Sequence, residues 1–220
     1  MERLIVLDTE TTGLDVDDGH KIIEIGCIEI IDRNITENSF HYYINPERLV
    51  DEKAYEIHGI SNKFLKDKPK FIDVIEKFIE YISDSALVIH NAPFDLGFLK
   101  SEYIRSGYQQ EVLYRDREII DTLKIARQKS PGKRNTLDAL CSRYSVDNTD
   151  RSLHGALLDA NLLASVYLRM TQGQTLIKGL SEVIVDTRQK NSDVIKNRKP
   201  KIIYANDYEL DEHRNYFKNN

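Results

Sequence analysis

Three apolar stretches near the N-terminus have the length and pattern of β-strands. They cover residues 3–8, 21–31 and 39–44, and "DRN" at 32–34 is a turn signal between the second and the third. Continuous apolar character mixed with period-two alternation indicates strands that are largely buried. Because the strands follow one another directly, we expect them to form an antiparallel meander.

The pattern then changes to helices that alternate with strands. "FIDVIEKFIEYI" (71–82) has its apolar residues at helical spacing, whereas "ALVIHN" (86–91) and "EIID" (118–121) are short apolar strands. Further helices are predicted at 94–106, 121–129, 136–144 and 155–170. Strands that alternate with helices pair in parallel through right-handed crossovers. The prediction is an α/β protein with a mixed five-stranded sheet, flanked by helices.

The C-terminal part of the chain differs from this folded domain at 1–172. Residues 173–199 show no strong amphipathic period and are interpreted as a flexible linker. The tail at 200–220 contains a strand-like segment and a capping-box spacing from Asn206 to Glu209. So short a segment cannot bury enough surface to fold alone. We interpret it as a docking segment that orders on a partner, with a floppy tail as the alternative.

Composition restricts the classes of protein that the chain can belong to. No apolar run approaches the roughly 20 residues of a membrane span, and the N-terminus lacks a signal-peptide pattern. We therefore expect a cytoplasmic protein. Cys27 and Cys141 both lie in apolar patterns, which predicts buried thiols in a reducing compartment. The net charge of −5 argues against bulk attraction to nucleic acid, although a metal-dependent site is itself acidic.

Carboxylates follow two of the predicted strands. In "LIVLDTETTGL" (4–14) Asp8 is expected to end the first strand and Glu10 follows it, and Asp95 follows the fourth strand in "HNAPFD". Functional groups gather beyond the carboxyl ends of parallel strands, so these side chains should meet. Neighbouring carboxylates are costly to desolvate without a compensating cation. Either this strand end is wet, or it binds a cation.

A histidine and a fourth carboxylate complete the candidate set. Asp159 is predicted at the edge of the buried face of the last helix, with His154 in the loop or first turn before it. Mg²⁺ takes oxygen ligands, and two such ions can activate water for phosphodiester hydrolysis. A histidine suits the base that this water needs. The alternatives are a helix cap for Asp95, a solvated position for Asp159 and a structural role for His154.

Two neighbouring features have less specific interpretations. Asp121 precedes a predicted helix and is assigned to helix capping. "SPGKRNT" (130–136) is a basic loop that either contacts phosphates or is a plain solvated turn.

The joint pattern resembles a known enzyme family. "DTETTG", "HNAPFD" and "HGALLDA", in this order, resemble the DEDDh family of 3′→5′ exonucleases, which have the ribonuclease H-like fold. The His-x₄-Asp spacing of His154 and Asp159 marks the histidine variant. Longer segments, among them "NPERLVDEKAYEIHGIS" and "PGKRNTLDALCSRY", are similar to the proofreading members that serve bacterial replicative DNA polymerases. The similarity runs from about residue 3 to residue 175.

This resemblance implies roles for individual residues. Two divalent ions, Mg²⁺ or Mn²⁺, would be held by four carboxylates, the first ion by Asp8, Glu10 and Asp159 and the second by Asp8 and Asp95. His154 would be the general base. The implied substrate-binding residues are Asp8, Glu10, Lys53, His58 and Asp159, with Leu14 and Phe94 lining the terminal base. The relatives carry Glu where this chain has Lys53; a cation there could still meet the nucleotide phosphate.

The resemblance also implies a function and partners. The expected activity removes mispaired 3′-terminal nucleotides from single-stranded DNA ends, with the C-terminal tail bound to the catalytic (alpha) subunit of the polymerase. A stand-alone DEDDh ribonuclease or repair exonuclease and a non-catalytic scaffold remain as alternatives, although a scaffold has no use for clustered unpaired carboxylates. Gly179 in "QTLIKGL" (174–180) argues against sliding-clamp binding. The sequence leaves a theta-like accessory subunit open.

Overall fold

One mixed β-sheet lies at the centre of the folded domain. The computed structural model describes residues 2–109, 113, 117–149, 151 and 153–172. The sheet has the strand order β3-β2-β1-β4-β5. Its strands are β1 (Arg3–Thr11), β2 (Ile22–Ile31), β3 (Asn34–Tyr43), β4 (Ala86–Ile89) and β5 (Ile119–Asp121). β2 is antiparallel to β1 and β3, whereas β4 is parallel to β1 and β5. The predicted meander followed by parallel units is confirmed.

Helices connect the strands and cover both faces of the sheet. In the described part of the chain they are α1 (Glu52–His58), α2 (Asn62–Leu65), α3 (Phe71–Ile82), α4 (Ala92–Arg105), α5 (Thr122–Lys129), α6 (Leu137–Tyr144) and α7 (Ala156–Met170). The predictions for α3 to α7 are confirmed to within two residues. The helices α1 and α2 were not predicted from the sequence. α1 buries only His58 and α2 only Leu65, so neither helix has an apolar stripe that a periodicity could reveal.

The sheet separates two apolar cores. Successive side chains of a strand point to opposite faces, so Leu7 of β1 packs in the core formed with α3 and α4. Val6 packs in the other core, which is formed with α6 and α7. Burial on both faces explains why β1 has a continuous apolar run. The strand is therefore a rigid support for the polar residues that follow Leu7.

The prediction that Asp8 ends the first strand is wrong. β1 continues to Thr11, because the long strand β2 pairs with it as far as the Thr11–Ile22 pair. Only the parallel pairing with β4 stops early, at Leu7–Ile89. Asp8 thus lies where β1 loses one of its two neighbours. Glu10, two residues further, points to the same face of the sheet.

Several sequence predictions fall on other parts of the chain. The linker at 173–199, the tail at 200–220 and the "QTLIKGL" segment (174–180) lie outside the described residues. Among the residues that are described, no helix has the length and apolar character needed to cross a membrane. Cys27 and Cys141 are buried free thiols, as predicted.

Candidate active site

A cleft of about 720 Å³ opens where β1 extends beyond β4. It is bordered by β1, the start of α4, the loop at 130–136, the start of α6 and the loop before α7. The five residues predicted to form the metal site and its base all line this cleft; they are Asp8, Glu10, Asp95, His154 and Asp159. The structure therefore brings together side chains that are up to 151 positions apart in the sequence.

Asp95 is held in the cleft by a neighbour of Asp8. The backbone N–H of Thr9 donates to Asp95 Oδ1 at 3.1 Å, and the Thr9 hydroxyl donates to the same oxygen at 2.7 Å. Asp95 lies in the first turn of α4, but the N-cap of this helix is Asn91. Helix capping therefore does not account for Asp95. Its buried carboxylate is oriented by hydrogen bonds from β1, which join this strand to the first turn of α4.

Asp159 reaches the cleft because α7 packs unusually close to the sheet. Gly26 of β2 lies opposite Asp8 in the strand pairing. A Cβ atom at Gly26 would lie only 2.2 Å from the backbone N of Leu157 and 2.3 Å from the carbonyl carbon of Ala156. Glycine is thus required for this approach of the first turn of α7, which carries Asp159.

The clustered carboxylates favour a bound cation. Burial, together with the neighbouring carboxylates of Asp95 and Glu10, raises the pKa of Asp8 well above its ordinary value. Burial and the Asp159 carboxylate raise the pKa of Glu10 to about 8, and burial raises the pKa of Asp95 to about 7. Glu10, His154 and Asp159 each offer a ligand atom, and these atoms lie within 4.8 Å of one another. Such a donor set, rich in carboxylate oxygens, fits a hard divalent cation.

Arg151 is a functional candidate that the sequence analysis missed. Its Nε donates to Asp159 Oδ1 at 2.6 Å, and its Nη2 donates to Asp159 Oδ2 at 2.5 Å. Burial alone would raise the pKa of Asp159, but the neighbouring His154 ring and the hydrogen bonds from Arg151 hold it below the ordinary value. The available signal was an arginine three residues before His154, on the loop that leads into α7.

His154 lies in the loop before α7, as predicted, and is joined to α1. Its backbone N–H donates to the carbonyl of Ile57 at 3.1 Å. His58 is buried at the end of α1, where its Nδ1 accepts from the N–H of Ile60 at 2.9 Å. Burial lowers the pKa of His58. His58 does not belong to the lining of the cleft.

The remaining predicted substrate residues have mixed positions. Phe94 lines the cleft and packs against Phe98 with ring centroids 5.0 Å apart. Lys53 is exposed on α1 and Leu14 is 79% exposed, and neither belongs to the lining of the cleft. Contact of Lys53, His58 or Leu14 with a nucleotide stays a prediction.

Two weaker predictions also have an observed position. The Asp121 carboxylate accepts from the backbone N–H groups of Leu123 and Lys124, which confirms its assignment as the cap of α5. In the basic loop at 130–136, Lys133 lines the cleft. A positive side chain at this border is compatible with the phosphate-contact interpretation.

Comparison with known proteins identifies the same family. A family model described as "Exonuclease" matches residues 5–167. DNA polymerase III subunit epsilon of Escherichia coli is 46% identical, over 96% of this chain and 90% of its own length. The subunit epsilon of Buchnera aphidicola is 49% identical, over 99% of this chain and 96% of its own length.

Solved structures agree with the predicted ribonuclease H-like fold. Exonuclease X in complex with 5′-overhanging duplex DNA is 29% identical with a TM-score of 0.59, over 77% of this chain and 91% of its own. The nuclease domain of 3′hExo, a DEDDh family member bound to rAMP, is 20% identical with a TM-score of 0.68, over 78% and 92%. The latter similarity concerns the fold alone. By sequence and by structure, the chain belongs to the exonuclease family and, within it, to the DNA polymerase III epsilon subunits.

Proposed function

We propose that this exonuclease proofreads DNA synthesis by removing mispaired 3′-terminal nucleotides. The observation that carries the proposal is the convergence of four carboxylates and a histidine in one cleft. Near-full-length similarity to proteins named DNA polymerase III subunit epsilon supports the link with replication. A mispaired end unstacks at lower cost than a paired one, so it enters such a cleft more often. Selectivity then needs no direct reading of the mismatch.

Two divalent cations, Mg²⁺ or Mn²⁺, are part of this proposal. Asp8, Glu10 and Asp159 would hold the first ion, and Asp8 and Asp95 the second. When bound, the ions would supply a positive centre that activates a water and stabilises the leaving oxygen. Thr9 keeps Asp95 oriented through its two hydrogen bonds. His154, 45% exposed at the mouth of the cleft, would accept the proton of the attacking water.

The substrate would be a frayed single strand. Phe94 offers an aromatic face at the cleft on which a terminal base can stack. Lys133 could contact a backbone phosphate from the opposite border. Asp8, Glu10 and Asp159 would meet the terminal phosphate through the ions, and Lys53 and His58 would approach the nucleotide from α1.

The proposal also covers partners and location. The tail at 200–220, joined by the linker at 173–199, would bind the catalytic (alpha) subunit of the polymerase in the bacterial cytoplasm. A theta-like accessory subunit stays open, and sliding-clamp binding is not part of the proposal. Capture of the alpha subunit by the full chain, compared with a 1–180 truncation, tests the tail. Equal capture by both proteins would refute the docking assignment.

A degradation assay tests the catalytic proposal. The full chain with Mg²⁺ should shorten a 5′-labelled single-stranded DNA from its 3′ end, and Asp8→Ala should lose at least about 10³-fold of the rate. Asp121→Asn, which keeps a capping side chain outside the cleft, is the matched control. Unchanged activity of Asp8→Ala would refute the assignment. Faster degradation of RNA than of DNA would favour the stand-alone ribonuclease instead.

A further inference from the structure

Arg151 is a buried positive charge in direct contact with Asp159, one of the proposed metal ligands. Its side chain is only 6% exposed. Besides its two hydrogen bonds to Asp159, it donates from Nη1 to Asp138 Oδ1 at 2.6 Å and from Nη2 to His154 Nδ1 at 2.8 Å. A single guanidinium therefore joins a proposed metal ligand, the proposed general base and a carboxylate at the start of α6.

The Arg151 guanidinium and a divalent cation compete for the negative charge of the Asp159 carboxylate. The guanidinium forms a bidentate pair that uses both carboxylate oxygens of Asp159. A divalent ion bound at Asp159 would lie close to this guanidinium, and two positive charges a few ångströms apart repel each other strongly at a partly buried site. Full coordination by Asp159 and the full bidentate pair thus oppose each other.

The contact with His154 has a second consequence, for the base. Arginine has hydrogen-bond donors only, so His154 Nδ1 must be the acceptor. A neutral imidazole has one acceptor nitrogen, and the other then carries the proton. The lone pair of His154 that could accept a proton is therefore engaged in the hydrogen bond from Arg151. Nδ1 also lies 3.2 Å from Asp159 Oδ2, so without the arginine an Nδ1–H could donate to this carboxylate and leave Nε2 as the basic nitrogen.

We propose that Arg151 is an internal counter-cation. It is a positioning residue that holds Asp159 and His154 in an inactive arrangement until a divalent ion replaces the guanidinium as the partner of the Asp159 carboxylate. Asp138, whose side chain is exposed, keeps its ion pair with the Arg151 guanidinium after the ion has replaced this guanidinium at Asp159. The inference rests on the proposed metal site, but it concerns the protein without DNA and without turnover. Arg151 touches no reacting atom in this role.

Metal binding to the full-length protein tests the exchange. Mn²⁺ is titrated by calorimetry into the wild type and Arg151→Met in the absence of DNA. Because the competing charge is removed, Arg151→Met should bind Mn²⁺ about tenfold more tightly, a coupling of ordinary size. Asp138→Asn should bind it more weakly, because the displaced guanidinium loses its other partner.

A matched control separates this contact from general charge. Arg127 lines the same cleft, and within the described part of the chain no hydrogen bond joins it to Asp159. Arg127→Met should therefore change the Mn²⁺ affinity by no more than about twofold. Equal or weaker Mn²⁺ binding by Arg151→Met would overturn the proposal. If no variant and no wild-type protein binds Mn²⁺, the proposed metal site fails together with it.

The protonation pattern of His154 provides an independent readout. ¹⁵N NMR of the metal-free wild type should show the Nε2–H tautomer of His154, and Arg151→Met should shift it towards Nδ1–H. An Nδ1–H tautomer in the metal-free wild type would overturn the inference. If Arg151→Met does not fold, Arg151→Leu replaces it in both experiments with the same expected results, because leucine also removes the positive charge and the hydrogen-bond donors.

Discussion

Replacing Gly26 by alanine tests whether the close packing of α7 on β2 creates the active site. The added Cβ would lie 2.2 Å from Leu157 N and 2.3 Å from the Ala156 carbonyl carbon, whereas ordinary contact begins at 3.4 Å. Both clashing atoms belong to the backbone, so no side chain can rotate away. The first turn of α7 must therefore move from the sheet by about 1 Å.

The expected magnitudes follow from this displacement. Overpacking of a well-packed core costs about 1–3 kcal/mol, which for a domain of this size lowers Tm by roughly 3–10 °C. Asp159 lies in the turn that moves, whereas Asp8 and Glu10 stay on β1. A misplacement of about 1 Å can cost about 10²-fold in rate. Gly26→Ala should therefore lose activity and Mn²⁺ affinity as well as stability.

Gly97→Ala is the matched control for this variant. Gly97 lies within α4, and a Cβ atom there would meet nothing within 4 Å. Alanine is more favourable than glycine inside a helix by about 0.8–1 kcal/mol, so Gly97→Ala should raise Tm by a few degrees and leave activity unchanged. Thermal unfolding, Mn²⁺ titration and DNA degradation are measured for both variants. A Gly26→Ala protein with wild-type Tm, or one that is destabilised but binds Mn²⁺ normally, would refute this account.

Three further predictions concern individual carboxylates. Without metal, Tm should fall as the pH rises from about 5 to 8, because the native state binds more protons than the unfolded state: the folded pKa values of Glu10 and Asp95, about 8 and about 7, exceed the ordinary ones. Saturating Mg²⁺ should flatten this decline. A Tm that rises with pH would contradict the prediction. Thr9→Val should lower the free energy of unfolding by about 1–2 kcal/mol in urea denaturation, since the buried Asp95 loses its 2.7 Å hydrogen bond; wild-type stability would show that this bond is dispensable. Asp121→Ala should lower the free energy of unfolding by about 1 kcal/mol through the lost helix cap and keep nuclease activity, whereas Asp121→Asn should keep both stability and activity. Loss of activity in Asp121→Ala would show that this residue has a role beyond capping.

Much of the site could be predicted because local patterns determine where its carboxylates lie. The first part of β1 carries apolar residues on both faces. The polar residues that follow it, from Asp8 onwards, were therefore expected to lie at an edge of the core. Parallel pairing of β1 with β4 then brought Asp8 and Asp95 to the same edge. Asp159 and His154 were placed by helical spacing and a glycine before α7.

What escaped prediction depends on contacts between distant segments. The length of β1 beyond Asp8 is determined by its partner β2, which a strand pattern does not specify. Arg151 lies on a loop, and its partners include Asp138 at the start of α6, so no periodicity indicates its burial. The expectation of unpaired carboxylates was accordingly wrong for Asp159, whose two oxygens both accept from Arg151.

The charges of the site form two groups with different compensation. Asp8, Glu10 and Asp95 have raised pKa values, so in the metal-free protein protons offset part of their charge. Asp159 has a lowered pKa, because the neighbouring His154 ring and the hydrogen bonds from Arg151 offset the effect of its burial. Divalent ions that bind at this site would therefore displace protons from Asp8, Glu10 and Asp95 and the Arg151 guanidinium from Asp159. Metal affinity should consequently depend on pH through the first group and on Arg151 through the second, so the two dependences can be separated in one set of titrations.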